Sequence, residues 1–534
     1  MSLSTTIKKN KLLSIVSAFF SIWIIFLIIL CVINKREVIF YDALSQTDVS
    51  SDYTSSFPLE RYFIEPFMGL AYIFGMEFLW LIAFFILYLI FRVIYLCIKR
   101  IGIIKSEKYK TLMYPVDDWI RFAFKLFSIV VLVIGTIIFI GYVVLGFYFV
   151  SRYFMVFVQL GIRIAFIILL IKSSYIIIKL LHPNFKLNYE SRKEKKLPKK
   201  DGKVLNSLRL GKRELIYMLG TAYLFLTANI LLISIPFPTH RIETNLADDE
   251  FLFDFHGHTT MSDGWLTPEQ RVQYYIKHGI SGAAFSDHDN IRGAKVAQKF
   301  VEKNGLDFLV FMAEEWTQHK PEIHINYYGI EETIVPLESD NPFTKVMNAS
   351  EMIKYVKSKG GYVIVNHYNA NPNKNGGLGV PYNFTDLMNW GVDGFEIVNE
   401  DSVQEREIRE FCLNNSLICL GGSDVHTNED LNCIVKLRLD DPTNMSIANI
   451  FQNLARNDHE VIAIKLHSNL INFPDDINDL GFEIFEDYLN YLLNLNSIQV
   501  LSWIIWSCLV YILFFLSYRK VKKANLSRLR DKIT

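Results

Sequence analysis

FLFDFHGHTTMSDGWLTPEQRVQYYIKHGISGAAFSDHDN, residues Phe251–Asn290, decides the fold. It opens on an apolar run, Phe251-Leu252-Phe253, that suits a sheet, and ends that run in His256-x-His258, with Asp263 five residues further on. Thr267-Pro268-Glu269 then reads as a helix start, because proline is favoured at the first helical position. A second short apolar run, Ala283-Ala284-Phe285, ends in Asp287-His288-Asp289. Two strand ends thus deliver imidazole and carboxylate together, as happens where a parallel barrel builds a site at the C-terminal ends of its strands.

Downstream the pattern repeats. Apolar runs recur at 308–312, 323–328, 362–365, 394–398 and 417–420, with helical stretches at 291–303, 350–359 and 402–414 between several of them. Strands that alternate with helices imply a parallel sheet, open or closed. The ends of the runs carry the chemistry: Glu314 and Glu315, then His324, His367, and Asp424 with His426. Six of the twelve histidines fall at or beside these strands. Histidine and carboxylate are the ligands of zinc, manganese and iron. Several at one mouth would hold two or more ions, as in hydrolases with paired metals. Taken singly, each residue has a plainer reading. His256-x-His258 also occurs on exposed strands, His324 inside its strand suits a core histidine, and Asp287 and Asp289 can cap a helix or orient His288. Glu314 and Glu315 cannot both face the site if the strand continues, since successive side chains alternate. Collectively the plain readings fail, because four or more strand ends would have to carry histidine by accident.

The segments FHGHTTMSDG, FSDHDNIRG, AEEWT, HINYYGI, VIVNH, DGFEIVN and GGSDVH, taken in this order, resemble the PHP (polymerase and histidinol phosphatase) domain family over about Phe251–Ser468. The resemblance implies a distorted (β/α)7 barrel with two or three divalent ions, zinc, manganese or iron. The ligands it implies are His256, His258, Asp263, His288, Glu315, His324, His367, Asp424 and His426. Glu315 is preferred over Glu314 because Ala313-x-Glu315 fits the family's Gly-x-Glu frame, with alanine in place of glycine. The family's His-Pro is absent after His367, where His367-Tyr368-Asn369 stands and an Asn/Gly-rich loop follows.

Outside this domain the chain is mostly apolar. A bilayer core of ~30 Å needs ~20 apolar residues as a helix. Six runs qualify: 12–33, 69–98, 122–150, 154–181, 215–235 and 498–517. The organisation expected is therefore a five-span region (1–235), a linker (236–250), the metallohydrolase domain (251–468), an acidic juxtamembrane segment (469–497), a sixth span (498–517) and a basic tail (518–534). Lys/Arg-rich segments follow the second and fourth runs and the last, while the first loop is acidic; lysine and arginine mark the cytoplasmic side. Both termini are then cytoplasmic, and the domain lies outside the cytoplasm in a multi-pass cell-membrane protein. Glu77 and Arg163 are the deepest charges in the runs, and an ionisable group there is by default a functional question. The 534 residues carry zero net formal charge, so no nucleic acid is expected as partner. Three cysteines, Cys412, Cys419 and Cys433, fall in the soluble part without CxxC spacing, which suggests neither a zinc knuckle nor a disulfide framework.

The function these features predict is hydrolysis of a phosphoester by a metal-bound hydroxide. Ions bridged by Glu315 would lower the pKa of bound water toward ~7, and Asp424 or a nearby histidine such as His426 would serve as general acid. Arg292 and Lys374 are candidate contacts for a substrate phosphate. An outward-facing site tethered to the bilayer at both ends suits an envelope or lipid-linked phosphoester. Two other classes share the ligand set: a hydrolase of C–N or C–O bonds, and a non-catalytic metal or ligand sensor signalling through the spans.

Overall fold

A computed structural model describes residues 11–33, 37–73, 79–100, 107–181, 203–236, 240–319, 322–339, 344–368, 382–400, 402–404, 406–467, 471, 473–474, 477 and 482–530. In chain order the first elements are α1 (Lys11–Ile33), β1 (Glu37–Asp42), β2 (Thr47–Asp48), β3 (Tyr53–Ser56), α2 (Leu59–Ile73), α3 (Leu79–Arg100), α4 (Glu107–Leu145), α5 (Phe147–Leu181) and α6 (Lys203–Ile233). The soluble part continues with β4 (Arg241–Thr244), β5 (Glu250–Asp254), α7 (Pro268–His278), β6 (Gly282–Phe285), α8 (Arg292–Asn304), β7 (Leu309–His319), β8 (Glu322–Tyr328), β9 (Ile334–Pro336), β10 (Lys345–Met347), α9 (Ala349–Ser358) and β11 (Tyr362–Val365). It ends with α10 (Phe384–Trp390), β12 (Gly394–Asn399), β13 (Ser402–Val403), α11 (Arg406–Asn414), β14 (Ile418–Gly422), β15 (Cys433–Arg438), α12 (Ile447–Leu454), β16 (Glu460–His467), α13 (Glu483–Leu493) and α14 (Ser497–Arg530).

Local chemistry sets the helices around the site. The Thr267 side chain accepts from the Gln270 N–H while the Gln270 side chain accepts from the Thr267 N–H, and Pro268 follows the cap. This reciprocal pair satisfies two N–H groups that the first turn leaves without partners. Gly279 ends α7 at φ 84°, a left-handed position that favours glycine. Asn348 and Glu351 repeat the reciprocal cap on α9.

The main sheet runs β13-β12-β11-β8-β7-β6-β5-β15-β16-β1-β2, with β14 branching from β12. Seven of these strands, β5, β6, β7, β8, β11, β12 and β14, follow one another around a core. The two ends of this run meet just beyond β14 and β5, where Val425 bridges Gly257. There the His258 N–H donates to the Val425 carbonyl at 3.1 Å and the Asp424 N–H to the His256 carbonyl at 2.9 Å. The arrangement is not uniformly parallel, because β8 is antiparallel to both β7 and β11. Alternate residues of these strands point into one cluster: Phe253 and Phe255, Ala284, Phe311 and Ala313, Tyr328, Ile364, and Ile418 and Leu420, with Phe451 of α12 among them. That apolar, largely aromatic floor is what period-2 alternation along neighbouring strands produces.

The sheet also recruits chain from far upstream. β1 pairs antiparallel with β16, from Glu37 opposite His467 to Asp42 opposite Ile462. β3 pairs with β4, so the segment ahead of β5 is structured as well. Among the described residues five helices are long and apolar enough to cross a membrane: 13–33, 115–145, 152–178, 208–233 and 497–516. Of the expected span at 69–98, residues 74–78, Glu77 among them, lie outside the described residues; α2 ends before them and α3 begins after, with Phe84–Tyr95 as a shorter apolar helical stretch. Cys31, Cys412, Cys419, Cys433 and Cys508 are free.

Candidate metal centre

The site sits at the mouth of the seven-strand run, above the aromatic floor. Glu315 occupies the position that alternation assigns to it. It shares a face with Phe311 and Ala313 and points inward, while Glu314 points the other way and accepts the Ile334 N–H at 3.2 Å. Burial pushes the Glu314 carboxyl well above the usual range, with Asp289 adding to the effect. The two glutamates are thereby assigned: Glu315 to the site, Glu314 to the packing beneath β9.

Glu315 is the hinge of the cluster. Its Oε2 faces His256 Nε2 at 3.3 Å, His258 Nε2 at 3.2 Å and His288 Nδ1 at 3.1 Å. Its Oε1 faces His324 Nδ1 at 3.1 Å and His367 Nε2 at 3.3 Å, and accepts from Asn366 at 2.9 Å. Asp424 Oδ1 stands 3.3 Å from His256 Nε2 and 3.0 Å from His258 Nε2, and those two ring nitrogens are 3.1 Å apart. Ligand atoms held ~2.0–2.2 Å from one tetrahedral cation sit roughly 3.3–3.6 Å from each other. His256, His258, Glu315 and Asp424 approach that arrangement. A second group, Asp263, His288 and His426, has Asp263 Oδ2 at 3.4 Å from both His288 Nε2 and His426 Nε2. A third pairs His324 and His367 on Glu315 Oε1. His319, Glu322 and His324 form a further, more exposed group that can hold an ion.

Three observations fit these groups to metal binding. First, Glu315 Oε2 and Asp424 Oδ1 are buried and have no hydrogen-bond donor, and leaving such oxygens bare is costly. Second, ring nitrogens facing away from the clusters are tied down. His256 Nδ1 donates to Glu396 Oε1 at 2.9 Å and His426 Nδ1 to the Asp424 carbonyl at 2.7 Å. Each bond leaves the Nε2 lone pair aimed into the cluster, which is how outer partners orient a ligating imidazole. Third, the charge is one-sided. Among the described residues the ion-pair partners of Asp263, Glu315, Glu396 and Asp424 are all histidines. Burial opposes ionisation of these groups, and mutual attraction outweighs it. The carboxyls of Asp263, Glu315 and Asp424 are held well below their usual range. His288 and His426 are pushed up to about 10 by Glu315 and Asp263. Such a site calls for added positive charge, which a divalent ion provides.

The backbone is bent to serve the cluster. Asp289 (φ 52°), His367 (φ 24°) and Asp424 (φ 50°) all lie in the left-handed region. Non-glycine residues held there are uncommon and collect at functional sites. A Cβ at Gly422, the end of β14, would lie 2.3 Å from His256 Cβ and 2.5 Å from Glu396 Oε1, so these two residues leave no room there for a side chain.

All nine ligands implied by the sequence gather at this mouth. The two candidate phosphate contacts do not join them. Lys374 lies outside the described residues. Arg292 turns to α5, donating to the Arg152 carbonyl at 2.8 Å and to the Met261 carbonyl at 3.4 Å, with its guanidinium 4.5 Å from the centre of the Tyr153 ring. Asp287 takes a supporting role: its Oδ1 accepts the Thr259 N–H at 2.8 Å and the Ser262 hydroxyl at 2.9 Å, fixing the loop that carries Asp263. Sequence reasoning passed over Glu396, which orients His256 with one oxygen and accepts the His367 N–H at 3.0 Å with the other. The available signal was a carboxylate inside the apolar strand DGFEIVN. Arg152 and Gln159 of α5 were likewise missed; both donate to loops of the site.

No family model matches the chain. The 5'-3' exoribonuclease Rnm of Salmonella typhimurium is 34% identical over 87 residues, 16% of this chain and 28% of that protein. The enzyme of the same name from Escherichia coli K12 matches with the same figures. The chain therefore covers little more than a quarter of these relatives. Among solved structures, a two-domain protein from Bacteroides vulgatus containing a predicted PHP-like metal-dependent phosphoesterase superposes with a TM-score of 0.33 at 20% identity, over 44% of this chain and 69% of that one. An amidohydrolase from Chromobacterium violaceum gives 0.24 at 16% identity, over 34% and 91%. Likenesses of this extent do not define a substrate.

Proposed function

We propose that the chain is a membrane-anchored, metal-dependent hydrolase of the PHP type acting on a phosphoester, with a lipid-linked or envelope phosphoester as its substrate class. The observation that carries this reading is the sharing of Glu315 between two groups of histidines, with its Oε2 and Asp424 Oδ1 buried and bare. Two or three divalent ions there would supply Lewis acidity toward phosphoryl oxygens and an activated water. The chain's own part is to hold them close with Glu315, to fix the His256 imidazole through Glu396, and to present the cluster beside the apolar helices. His426, held by the 2.7 Å bond from its Nδ1 to the Asp424 backbone carbonyl, is the group we assign to deliver a proton to the leaving oxygen. The hydrolytic name of the exoribonuclease relatives supports phosphorus chemistry over C–N or C–O cleavage. The lipid-linked class is supported by where the most exposed ligands lie. Asp263 and His426 sit on loops that touch α5 and α6.

The test uses the full chain in detergent micelles, loaded with Mn2+, Zn2+ or Fe2+ and assayed against chromogenic phosphomonoesters and phosphodiesters, a polyprenyl phosphate and a short RNA. Metal-dependent turnover that His256→Ala abolishes supports the reading, and the ester preferred selects the substrate. Bound metal without turnover on any of these would sink it in favour of a binding role.

A further inference from the structure

Helix α5 presents one stripe to the soluble domain. Arg152, Met155, Gln159 and Ile162 are all buried, at the three-and-four spacing of a single helix face. Arg152 Nη2 donates to the carbonyl of Asp289, the residue after His288. Gln159 Nε2 donates to the carbonyl of Trp265, two residues after Asp263, at 2.5 Å. The Trp265 side chain is buried among Met155, Ile162, Ile230 and Ile233, between α5 and α6. Its backbone N–H donates to the carbonyl of His426 at 2.7 Å. Two residues on, Asn428 Nδ2 donates to the carbonyls of Leu232 and Ile235 at the end of α6, at 2.7 and 2.5 Å. These contacts fall on the three loops that carry Asp263, His288 and His426. The supports of the other ligands are different: Glu396 holds His256 and the His367 backbone, and Asn366 holds Glu315, all from within the sheet.

We propose that α5 and α6, two of the apolar helices, position the Asp263–His288–His426 group, so that the ion held there binds tightly only while these helices are docked. Gln159 and Asn428 are positioning residues for that ion. The inference rests on the reading that these clusters hold metal. A cage built from three loops keeps its geometry only if each loop is fixed, and a loosened ligand shell typically weakens binding 10- to 100-fold. His256, Glu315 and the His367 backbone are held from within the sheet, so metal on those ligands is expected to be retained when the α5 contacts are removed.

The experiment equilibrates the full chain in detergent at fixed free Zn2+ and counts bound metal per chain by mass spectrometry, then repeats the count across a chelator series. Asp263→Ala defines which ion belongs to the group. Gln159→Met keeps the side-chain volume and removes the donor; Asn428→Ala removes the second anchor. Each is expected to raise the dissociation constant of the same ion that Asp263→Ala removes by at least 10-fold, with the remaining metal unchanged. Unchanged binding of every ion overturns the proposal, and so does uniform loss of all ions, which reports general unfolding. Absence of metal from the unsubstituted chain would instead refute the metallohydrolase reading itself.

Discussion

Glu396 never faces a metal group directly, yet it sets His256 and the backbone of His367 at once. Glu396→Gln keeps the shape and weakens the hold on the His256 Nδ1 proton. Metal affinity or turnover should fall 10- to 100-fold, measured by chelator competition and initial rates; a change under two-fold would refute the orienting role. His278 carries a prediction of another kind. It is buried, donates from Nδ1 to the Tyr274 carbonyl at 2.7 Å, and is held at about 3 by burial and by neighbouring His240. In the unfolded chain its pKa is ~6.5. Between those values the unfolded chain binds a proton that the folded one does not, so stability falls as pH falls, by up to ~1.4 kcal/mol per unit. The unfolding midpoint of the solubilised protein should therefore drop from pH 6.5 toward 5, and His278→Asn, which keeps a donor, should flatten that slope. An equal slope in both proteins would remove His278 from the explanation. At this scale His256, His258, His288, His367, Asp424 and His426 were legible in the sequence because they stand just beyond strand ends, whereas Glu315 and His324 lie inside their strands and were singled out by the resemblance. Glu396 and Gln159 were not legible, since a single polar residue within an apolar stretch carries no sign of what it faces.

At the scale of elements, the strands at 250–254, 282–285, 322–328, 362–365, 394–399 and 418–422 were legible from apolar runs with turn residues beside them. The extension β15-β16-β1-β2 was not. Its pairing joins Asp42 to β16 across 419 residues of sequence, and local periodicity does not encode so distant a partner. Asp42 is the key to that edge. Its Oδ1 accepts the N–H of Leu44 at 3.0 Å and of Val461 at 2.9 Å, and Arg409 donates to the Leu44 carbonyl at 2.8 Å. Asp42→Ala strands two buried N–H groups, and each such loss costs about 1–3 kcal/mol. The thermal midpoint should fall by several degrees with metal content per chain preserved. An unchanged midpoint would mean that β1 adds nothing to the domain's stability. The same pairing implies that a fragment cut at His240 lacks β1 and β3, so the domain is best studied in the whole chain.

For the whole molecule, helix lengths and contacts bear on which side of a bilayer the site faces. α5 has 35 residues, about 52 Å at 1.5 Å per residue, against a hydrocarbon core of ~30 Å. Its contacts with the domain run from Arg152 to Arg163, which donates to Gln270 of α7 at 3.2 Å. That stretch is about 16 Å long, and the part of the helix beyond it, 164–181, about 27 Å, is close to what a core requires. The domain thus stands at the N-terminal end of α5 and the C-terminal end of α6, and β1 joins it directly after α1. Among the described residues, Lys203, Arg209, Lys212 and Arg213 lie in the N-terminal part of α6, at the end away from the domain, and Arg519, Lys520, Lys522 and Lys523 lie in the C-terminal part of α14. Lysine and arginine favour the cytoplasm, so we propose that the candidate metal centre lies outside it, with α5 and α6 holding it against the outer surface of the bilayer. Replacing the six native cysteines by serine and introducing Asp441→Cys in the domain or Lys199→Cys in the basic segment tests this with a membrane-impermeant maleimide on intact cells. Asp441→Cys should label at once, and Lys199→Cys only after the cells are opened. The reverse pattern would turn the chain over, and the substrate would then have to be sought among cytoplasmic phosphoesters.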